Sequence, residues 1–313
     1  MGLAFVFPGQ GSQSIGMLSE LAAEFSLVEE TFSEASNVLD YDLWQLVAEG
    51  PETSLNKTER TQPAMLAAGV AVWRVWQSLT NIQPQYLAGH SLGEYSALVA
   101  AEAITFKDAI RLVELRGQFM QQAVPAGQGA MAAILGLDDS AVRALCEQAS
   151  QGRVVEAVNY NSPGQVVIAG DAEAVKTATE LAKAQGAKRA LILPVSVPSH
   201  CALMKPAADK LATELASISV TMPTIPVIHN VTVATAANED AIRQLLTDQL
   251  HKPVRWVETV QLLAREGVKD VVECGPGKVL AGLTKRIDKS LVGLPLYNQA
   301  TIDKAVNTLG ETK

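Results

Sequence analysis

The stretch Gly89-His90-Ser91-Leu92-Gly93 follows the pattern G-x-S-x-G and lies between a short apolar run, residues 86–88, and a helix-like stretch, residues 94–102. In this strand–turn–helix context the serine of the pattern becomes a nucleophile. The glycines are required because the turn is too sharp for side chains at their positions, and the strain pushes the serine hydroxyl away from the backbone. The start of the following helix offers backbone N–H groups and a positive dipole end to an oxyanion. Ser91 is therefore predicted to be a nucleophile.

Strand and helix patterns alternate on both sides of this turn. Leu3 to Phe7 has the pattern of a short buried strand, Leu87 lies in a second strand, and residues 268–273 form a later one, with helical patterns between them. Such alternation predicts an α/β fold in which a parallel sheet carries helices on both faces.

The segment from about Gln128 to Pro194 has a different character. Its predicted elements follow the order β-α-β-β-α-β, which is the ferredoxin-like pattern. We interpret it as a small subdomain, residues 124–197, inserted into a discontinuous large α/β domain, residues 1–123 and 198–313. The predicted strands of the subdomain are residues 131–135, 154–158, 165–169 and 189–193, and its predicted helices are residues 139–149 and 172–185.

Composition restricts the class of protein. The chain has 313 residues, of which 48% are hydrophobic, so a large core can be buried. Its net charge of −8 disfavours a nucleic-acid surface. Three widely spaced cysteines indicate a reducing compartment without disulfides or a zinc site, and no stretch has the pattern of a signal peptide or of a membrane span. These observations predict a cytoplasmic protein that binds no membrane, nucleic acid or metal.

A serine hydroxyl needs a base to take its proton. The chain has four histidines, of which His90 is adjacent to Ser91 and is predicted to make a structural hydrogen bond beside the turn. His200 lies in the predicted return from the subdomain to the large domain, and active sites favour crevices between domains. On the residues alone, His229 and His251 stay open as alternatives. No carboxylate stands out as a third triad member, so a group of another kind could orient the base.

Arg116 is unusual for its position in a predicted helix, residues 107–122. It falls within the apolar stripe of that helix rather than on the polar side. A buried guanidinium costs free energy unless it finds an anionic partner. It could reach solvent or pair with a structural carboxylate, or it could hold a substrate carboxylate close to Ser91. An acyl chain with a distal carboxylate would fit both residues at once.

The loop Gly9-Gln10-Gly11 follows the first predicted strand. It is not expected to bind a dinucleotide, because Ser14 occupies the place of the third glycine in the pattern G-x-G-x-x-G. A strand-end loop in which Gln10 donates a hydrogen bond near the nucleophile is better suited to an oxyanion hole.

A set of motifs in a fixed order extends from Phe5 to about Arg286, nearly the whole chain. Each motif is weak alone, but the ordered set is very specific and resembles the malonyl-CoA:acyl carrier protein transacylases of bacterial fatty-acid synthesis. The motifs are Phe7-Pro8-Gly9-Gln10-Gly11-Ser12-Gln13, Thr61-Gln62-Pro63-Ala64, Gly89-His90-Ser91-Leu92-Gly93-Glu94-Tyr95, Arg116-Gly117, residues 159–164, Pro198-Ser199-His200 and Gly275-Pro276-Gly277-Lys278.

The resemblance implies an α/β-hydrolase-like core with a ferredoxin-like insertion. It also implies transfer of a malonyl group from malonyl-CoA to the phosphopantetheine thiol of an acidic acyl carrier protein, through a malonyl-serine and without a permanently bound cofactor. The roles that it implies are nucleophile for Ser91, base for His200, backbone oxyanion-hole donors for Gln10 and Leu92, a grip on the malonyl carboxylate for Arg116, a lining position for Asn159, and orientation of the histidine by the backbone carbonyl of Gln249.

An acidic enzyme needs a local basic surface in order to bind an acidic carrier protein. Lys278, Lys285 and Lys289 are predicted to share one helical face with Arg286 beside them, and Lys188-Arg189 opens the last strand of the subdomain. These six residues, here called the basic patch, could be an ordinary solvated surface. With the resemblance, we expect them to dock the carrier protein on a monomeric enzyme.

Three other functions stay open on the sequence. A thioesterase or esterase would share the serine and its base but would admit water to the acyl-enzyme. A non-catalytic acyl-CoA-binding subunit could keep the fold, and an acyltransferase of polyketide synthesis could keep the chemistry. A buried arginine and the basic patch favour a transferase over a hydrolase.

Overall fold

The computed structural model describes residues 2–195 and 197–310. Three parts of the predicted domains lie outside the described residues: Met1 and residues 311–313 at the ends of the large domain, and Ser196 in the return segment. The strands are β1 (Leu3–Phe7), β2 (Tyr86–Gly89), β3 (Gly129–Leu135), β4 (Val155–Ser162), β5 (Gln165–Asp171), β6 (Arg189–Ile192), β7 (Val227–Ile228), β8 (Asp270–Cys274) and β9 (Val292–Leu296).

The helices occupy most of the chain between these strands. A short 3₁₀ turn, Ala202–Met204, precedes the tenth of them. The helices are α1 (Ser19–Glu24), α2 (Ser26–Leu39), α3 (Leu43–Glu49), α4 (Glu52–Leu55), α5 (Thr58–Leu79), α6 (Gly93–Ala100), α7 (Phe106–Ala123), α8 (Asp139–Ser150), α9 (Ala172–Ala184), α10 (Lys205–Ser217), α11 (Glu239–Gln249), α12 (Trp256–Arg265), α13 (Val279–Ile287) and α14 (Gln299–Leu309).

A five-stranded parallel sheet forms the centre of the large domain, in the order β7-β2-β1-β8-β9. Its central strand is buried on both faces, which explains its uninterrupted apolar sequence. Phe5 and Phe7 join the core that contains α5 and α7, whereas Ala4 and Val6 join the core that contains α12. The predicted parallel sheet with helices on both faces is confirmed.

A second, antiparallel sheet has the order β4-β5-β3-β6. Helices α8 and α9 cover one of its faces, so the order β-α-β-β-α-β is present as predicted. On the other face, Met131 and Val167 pack with Cys201, which follows the predicted base. The fold class, an α/β-hydrolase-like core with a ferredoxin-like insertion, is confirmed, while the domain limits at 123/124 and 197/198 stay a prediction.

Helix α13 is shorter than the sequence suggested. Lys278 is its N-cap, with an extended φ of −150°, and Lys289 lies beyond the C-cap residue Asp288. The side chain of Asp288 accepts from the Ser290 N–H at 2.8 Å and closes a turn that ends the helix. The prediction that Lys278, Lys285 and Lys289 share one helical face is therefore wrong, because only Lys285 is helical.

Loops at the carboxyl ends of the parallel strands form the candidate site. Strands β1, β2 and β7 run in the same direction, and the residues that follow them are Gln10, Ser91 and Asn230 respectively. Parallel strands bring their carboxyl ends together, and this edge is where open α/β sheets bind ligands.

Candidate active site

Ser91 lies at the apex of the turn between β2 and α6. Its φ of +52° is in the left-handed region, which costs free energy for a residue with a side chain. The flanking glycines have no room for a side chain: a Cβ on Gly89 would lie 1.9 Å from the carbonyl carbon of Gly93, and one on Gly93 would lie 2.0 Å from the Phe7 oxygen. The strained turn is held by Asn230, whose Oδ1 accepts from the Ser91 N–H at 2.8 Å.

The Ser91 hydroxyl contacts His200. Its Oγ lies 2.7 Å from Nε2 of the ring, and Nδ1 lies 2.6 Å from the backbone oxygen of Gln249. Because a carbonyl oxygen only accepts, Nδ1 carries the proton, and Nε2 of the neutral ring must accept from the Ser91 hydroxyl. This is the tautomer that a general base needs.

The imidazole of His200 is buried and difficult to protonate. Only 2% of the residue is exposed. Burial, and then the charge of Arg116, lower the pKa of His200 from 6.5 to about 3. The ring is therefore neutral at pH 7, with its Nε2 lone pair available to the Ser91 hydroxyl.

Arg116 projects from α7 into the same site and is 2% exposed. Its Nη1 donates to Gln62 Oε1 at 2.8 Å, and its Nη2 donates to Gln249 Oε1 at 3.0 Å. Nη2 also lies 3.5 Å from Ser91 Oγ. Among residues 2–195 and 197–310, no carboxylate forms an ion pair with it. Burial lowers the pKa of Arg116 below its usual range, but a guanidinium keeps its charge.

A cavity of about 110 Å³ connects the sequence-predicted residues. Both structural units line it, with Met131, Leu193 and Val195 on the subdomain side. Gln249 lies behind the cavity, where it contacts His200 and Arg116. The sequence-predicted residues that line the cavity are Gln10, Ser91, Leu92, Arg116, Asn159 and His200.

Leu92 and Asn159 both line the cavity. Leu92 is the first residue after the nucleophile, and the N–H of the next residue, Gly93, already bonds the His90 carbonyl at 3.0 Å. The amide of Leu92 therefore heads the helix beside Ser91, where an oxyanion donor is needed. On the opposite side, Asn159 Oδ1 is buried and finds no hydrogen-bond partner within the described chain.

The other histidines are engaged elsewhere. His90 Nε2 lies 2.8 Å from Asn161 Oδ1, the structural hydrogen bond expected beside the turn. His229 Nδ1 lies 2.7 Å from Glu94 Oε1. His251 does not line the cavity, and its buried ring Nδ1 has no partner in the described chain. His200 is thus the histidine that the structure brings to the Ser91 hydroxyl.

Sequence reasoning missed three buried polar residues: Gln62, Glu94 and Asn230. Glu94 Oε2 accepts from the Asn230 N–H at 3.0 Å and from Gln249 Nε2 at 2.9 Å. Asn230 Nδ2 donates to the Gly89 carbonyl at 2.6 Å. One signal was present, because Asn230 follows an apolar run and therefore lies at a strand end; Gln62 and Glu94 gave no comparable signal beyond their motifs.

The basic patch is exposed and continuous with the end of the antiparallel sheet. Arg286 Nη1 donates to Gln165 Oε1 at 3.2 Å. Gln165 pairs with Leu135 in β3, and Leu135 pairs with Arg189 in β6. Arg189 is therefore two strands away from Gln165, the residue that Arg286 contacts, and each strand spacing is about 5 Å. The structure therefore brings Arg286 to the end of the antiparallel sheet that carries Arg189, although α13 is short.

Two classes of feature are absent from the part of the chain that the structure describes. No group of three or more His, Cys, Asp or Glu side chains there is arranged to hold a metal ion. No helix of these residues has the length and apolar character needed to cross a bilayer.

The geometry of Ser91, His200 and Arg116 agrees with comparison to known proteins. A sequence model described as the acyl transferase domain matches residues 4–301. The chain belongs to this acyl transferase family. The malonyl CoA-acyl carrier protein transacylase of Salmonella typhimurium is 59% identical over 303 residues, which cover 97% of this chain and 98% of that protein. The family expected from the ordered motifs is confirmed.

Solved structures of this acyl transferase fold extend the comparison. An acyl carrier protein S-malonyltransferase from Vibrio cholerae superposes with a TM-score of 0.95 at 60% identity, covering 97% of this chain and 100% of that one. A second structure contains PlMCAT, a malonyl-transacylase, in complex with AntF, a type II PKS acyl-carrier protein. This acyl transferase matches PlMCAT with a TM-score of 0.97 at 57% identity, covering 98% and 99% of the two chains.

Proposed function

We propose that this acyl transferase moves a malonyl group from malonyl-CoA to the phosphopantetheine thiol of acyl carrier protein and so supplies fatty-acid synthesis. The observation that carries the proposal is the environment of Arg116. A buried guanidinium that pairs with no carboxylate of the described residues lies 3.5 Å from the Ser91 hydroxyl. A substrate whose acyl chain ends in a carboxylate, such as malonyl, would supply the missing anion.

The first half-reaction forms an ester on Ser91. His200 Nε2 takes the hydroxyl proton while Oγ attacks the thioester carbonyl of malonyl-CoA. The backbone N–H groups of Leu92 and Gln10 stabilise the tetrahedral oxyanion. The C–S bond then breaks, His200 returns the proton to the sulfur, and coenzyme A leaves as the thiol.

The second half-reaction uses the same groups in reverse. The carrier's phosphopantetheine thiol gives its proton to His200 and attacks the malonyl ester on Ser91. The C–O bond breaks, and Ser91 Oγ regains its proton from His200. The first half-reaction uses up one thioester and the second forms another, so no further energy source is needed. Coenzyme A thioester is substrate, and no bound cofactor takes part.

Arg116 supplies selectivity for the acyl group. The malonyl carboxylate pairs with the guanidinium, whereas an acetyl group leaves the buried charge without an anion. Because a dry site penalises an unpaired polar group by a few kcal/mol, malonyl is preferred over acetyl. Asn159 also lines the cavity, and its Oδ1, which has no partner in the described chain, is free to accept from an amide N–H of the pantetheine arm, since the malonyl group has no donor.

The carrier protein docks on the basic patch: Lys188, Arg189, Lys278, Lys285, Arg286 and Lys289. Their exposure and their placement around the Gln165 end of the antiparallel sheet support this surface. An acidic carrier would be attracted there although the enzyme has a net charge of −8. We place the enzyme, as a monomer, in the cytoplasm, where three free cysteines stay reduced.

Intact-protein mass spectrometry after brief exposure to malonyl-CoA tests the first half-reaction. We expect one malonyl adduct that peptide mapping assigns to Ser91 and that is absent from Ser91→Ala. A matched control, Ser290→Ala, removes an exposed hydroxyl that donates to Asp288 Oδ1 and should keep the adduct. An adduct that persists in Ser91→Ala would contradict the proposal.

A further inference from the structure

Glu94 is a buried acid that does not reach the reacting atoms. It lies in the first turn of α6 and is 1% exposed. Its carboxylate accepts from His229 Nδ1 at 2.7 Å, from the Asn230 N–H at 3.0 Å and from Gln249 Nε2 at 2.9 Å. Neither a lysine nor an arginine of the described chain forms an ion pair with it. A buried carboxylate that contacts a histidine ring and amide N–H groups, but no ammonium or guanidinium of the described chain, is costly, so its presence needs a reason.

The side-chain amide of Gln249 lies between this carboxylate and Arg116. Its Nε2 has two acceptors, Glu94 Oε2 and the Ser91 carbonyl at 2.9 Å, so the amide nitrogen must lie on this side. Its oxygen then faces Arg116 Nη2 at 3.0 Å. The reverse orientation would place the NH₂ group against the guanidinium, donor against donor. Glu94 therefore determines which way the Gln249 amide points.

The same chain of contacts links two opposite buried charges. The Glu94 carboxylate accepts from one end of the Gln249 amide, and the Arg116 guanidinium donates to the other end. An amide that bonds an anion at its N–H and a cation at its oxygen is polarised in the direction that stabilises both charges.

We infer that Glu94 is a positioning residue for acyl selectivity, which acts as the counter-charge of Arg116 through the Gln249 amide. A carboxylate in direct contact with Arg116 would compete with the carboxylate of the substrate. Because the Gln249 amide lies between them, Glu94 offsets the charge of the guanidinium and orients it, while the face of the guanidinium that binds the substrate stays free. This inference rests on the proposed malonyl transfer.

The substitution Glu94→Gln removes the charge and can keep the hydrogen bonds. The amide oxygen of the new glutamine can still accept from Asn230 and Gln249. Its NH₂ group would then face His229 Nδ1. The ring can carry its proton on Nε2, which has no partner in the described chain, so that Nδ1 accepts from this NH₂ group. The variant therefore isolates the charge from the packing.

The test measures loading of Ser91 by malonyl-CoA and by acetyl-CoA in the wild type, Glu94→Gln, Arg116→Ala and the double variant. Without its counter-charge, Arg116 gains more from a substrate carboxylate and loses more when an acetyl group occupies the site. We expect the malonyl-to-acetyl ratio of kcat/KM to rise about tenfold in Glu94→Gln, the size expected of a nearby buried charge. In the Arg116→Ala background the same change should leave the ratio as it is.

A ratio that stays at the wild-type value in Glu94→Gln, or a change that persists without Arg116, would overturn the inference. Circular dichroism and thermal melting establish that each variant is folded. If Glu94→Gln does not fold, Glu94→Asp keeps the charge and should keep the ratio within about twofold while lowering kcat for both substrates; a larger shift would overturn the inference. A wild type that loads no malonyl group would instead refute the proposed function.

Discussion

His200 Nδ1 donates to the backbone carbonyl of Gln249 at 2.6 Å. In a Ser-His-Asp triad a carboxylate occupies that place and stabilises the imidazolium that forms during the reaction. A carbonyl fixes the same tautomer but carries no charge, and Arg116 adds a positive charge nearby. Burial first, and then the charge of Arg116, lower the pKa of His200 to about 3, although the bond to the Gln249 carbonyl acts in the opposite direction.

The rate of malonyl loading should not follow the ordinary titration of histidine. Because the reactive form of His200 is neutral and its pKa in the folded enzyme is about 3, kcat/KM for malonyl-CoA should stay flat between pH 8 and pH 5. Stopped-flow or quenched-flow loading across this range measures it. A half-maximal rate near pH 6.5 would show that the buried ring titrates normally and would contradict the geometry.

Stability should depend on pH through the same ring. The unfolded chain takes up a proton near pH 6.5, whereas folded His200 does so only near pH 3, so the contribution is complete above pH 6.5 and is lost as pH falls through this window. Between pH 7.5 and 5 the wild type should lose about 2 kcal/mol more than His200→Gln. Urea unfolding at both pH values checks this. Equal losses in the two proteins would be the opposing result.

Arg116→Ala should invert the acyl preference. Loss of the guanidinium removes the partner of the malonyl carboxylate and also the penalty that an acetyl group incurs. We expect the malonyl-to-acetyl ratio of kcat/KM to fall about 100-fold, or about 3 kcal/mol. Arg74→Ala is the matched control, since Arg74 pairs with Glu34 at the surface and should leave the ratio unchanged. An unaltered ratio in Arg116→Ala would remove Arg116 from substrate recognition.

Asn230→Ala should weaken the turn without changing selectivity. The substitution leaves the buried Ser91 N–H and the Gly89 carbonyl without their partner, at a cost of about 2 to 4 kcal/mol of unfolding free energy. Loading by malonyl-CoA and acetyl-CoA should fall by the same factor. The control Asn298→Ala removes the N-cap of α14 and should cost about 1 kcal/mol with no loss of activity. Selectivity that changes in Asn230→Ala would mean that Asn230 touches the acyl chain.

The sequence was informative where the signal is local. Gly89 and Gly93 have to be glycine because of contacts within a few residues and with the neighbouring strand, so the pentapeptide predicted its own backbone. The place of Arg116 followed from helical periodicity, which is also local. The positions of Ser91, His200 and Arg116 in one cavity are in agreement with these local signals.

Other features depend on chain segments that are far apart in sequence. Glu94, Asn230 and Gln249 meet only because α6, the end of β7 and the end of α11 converge, and a single sequence contains no measure of that distance. Strand β9 was missed because it contains Pro295, which disfavours a strand assignment except at a sheet edge, where β9 lies. The end of α13 was misplaced because a local turn at Asp288 interrupts a run of basic residues.

Charge reversal in the basic patch should affect one substrate only. Lys285→Glu with Arg286→Glu should raise KM for the carrier protein about tenfold at low salt and leave KM for malonyl-CoA unchanged, with the difference shrinking as salt is added. Lys107→Glu with Lys304→Glu makes the same change in net charge on α7 and α14 and serves as control. If both KM values rise together, or if the control has the same effect, the carrier docks elsewhere.

The most direct test follows the malonyl group after it has left coenzyme A. Malonyl-enzyme is isolated free of malonyl-CoA and mixed with buffer alone or with carrier protein that bears its phosphopantetheine arm, and intact masses are recorded over time. Acyl transfer through Ser91 predicts that the adduct persists in buffer and moves quickly and completely to the carrier. Decay to free malonate at the same rate with and without the carrier would contradict it, because the enzyme would then be a hydrolase.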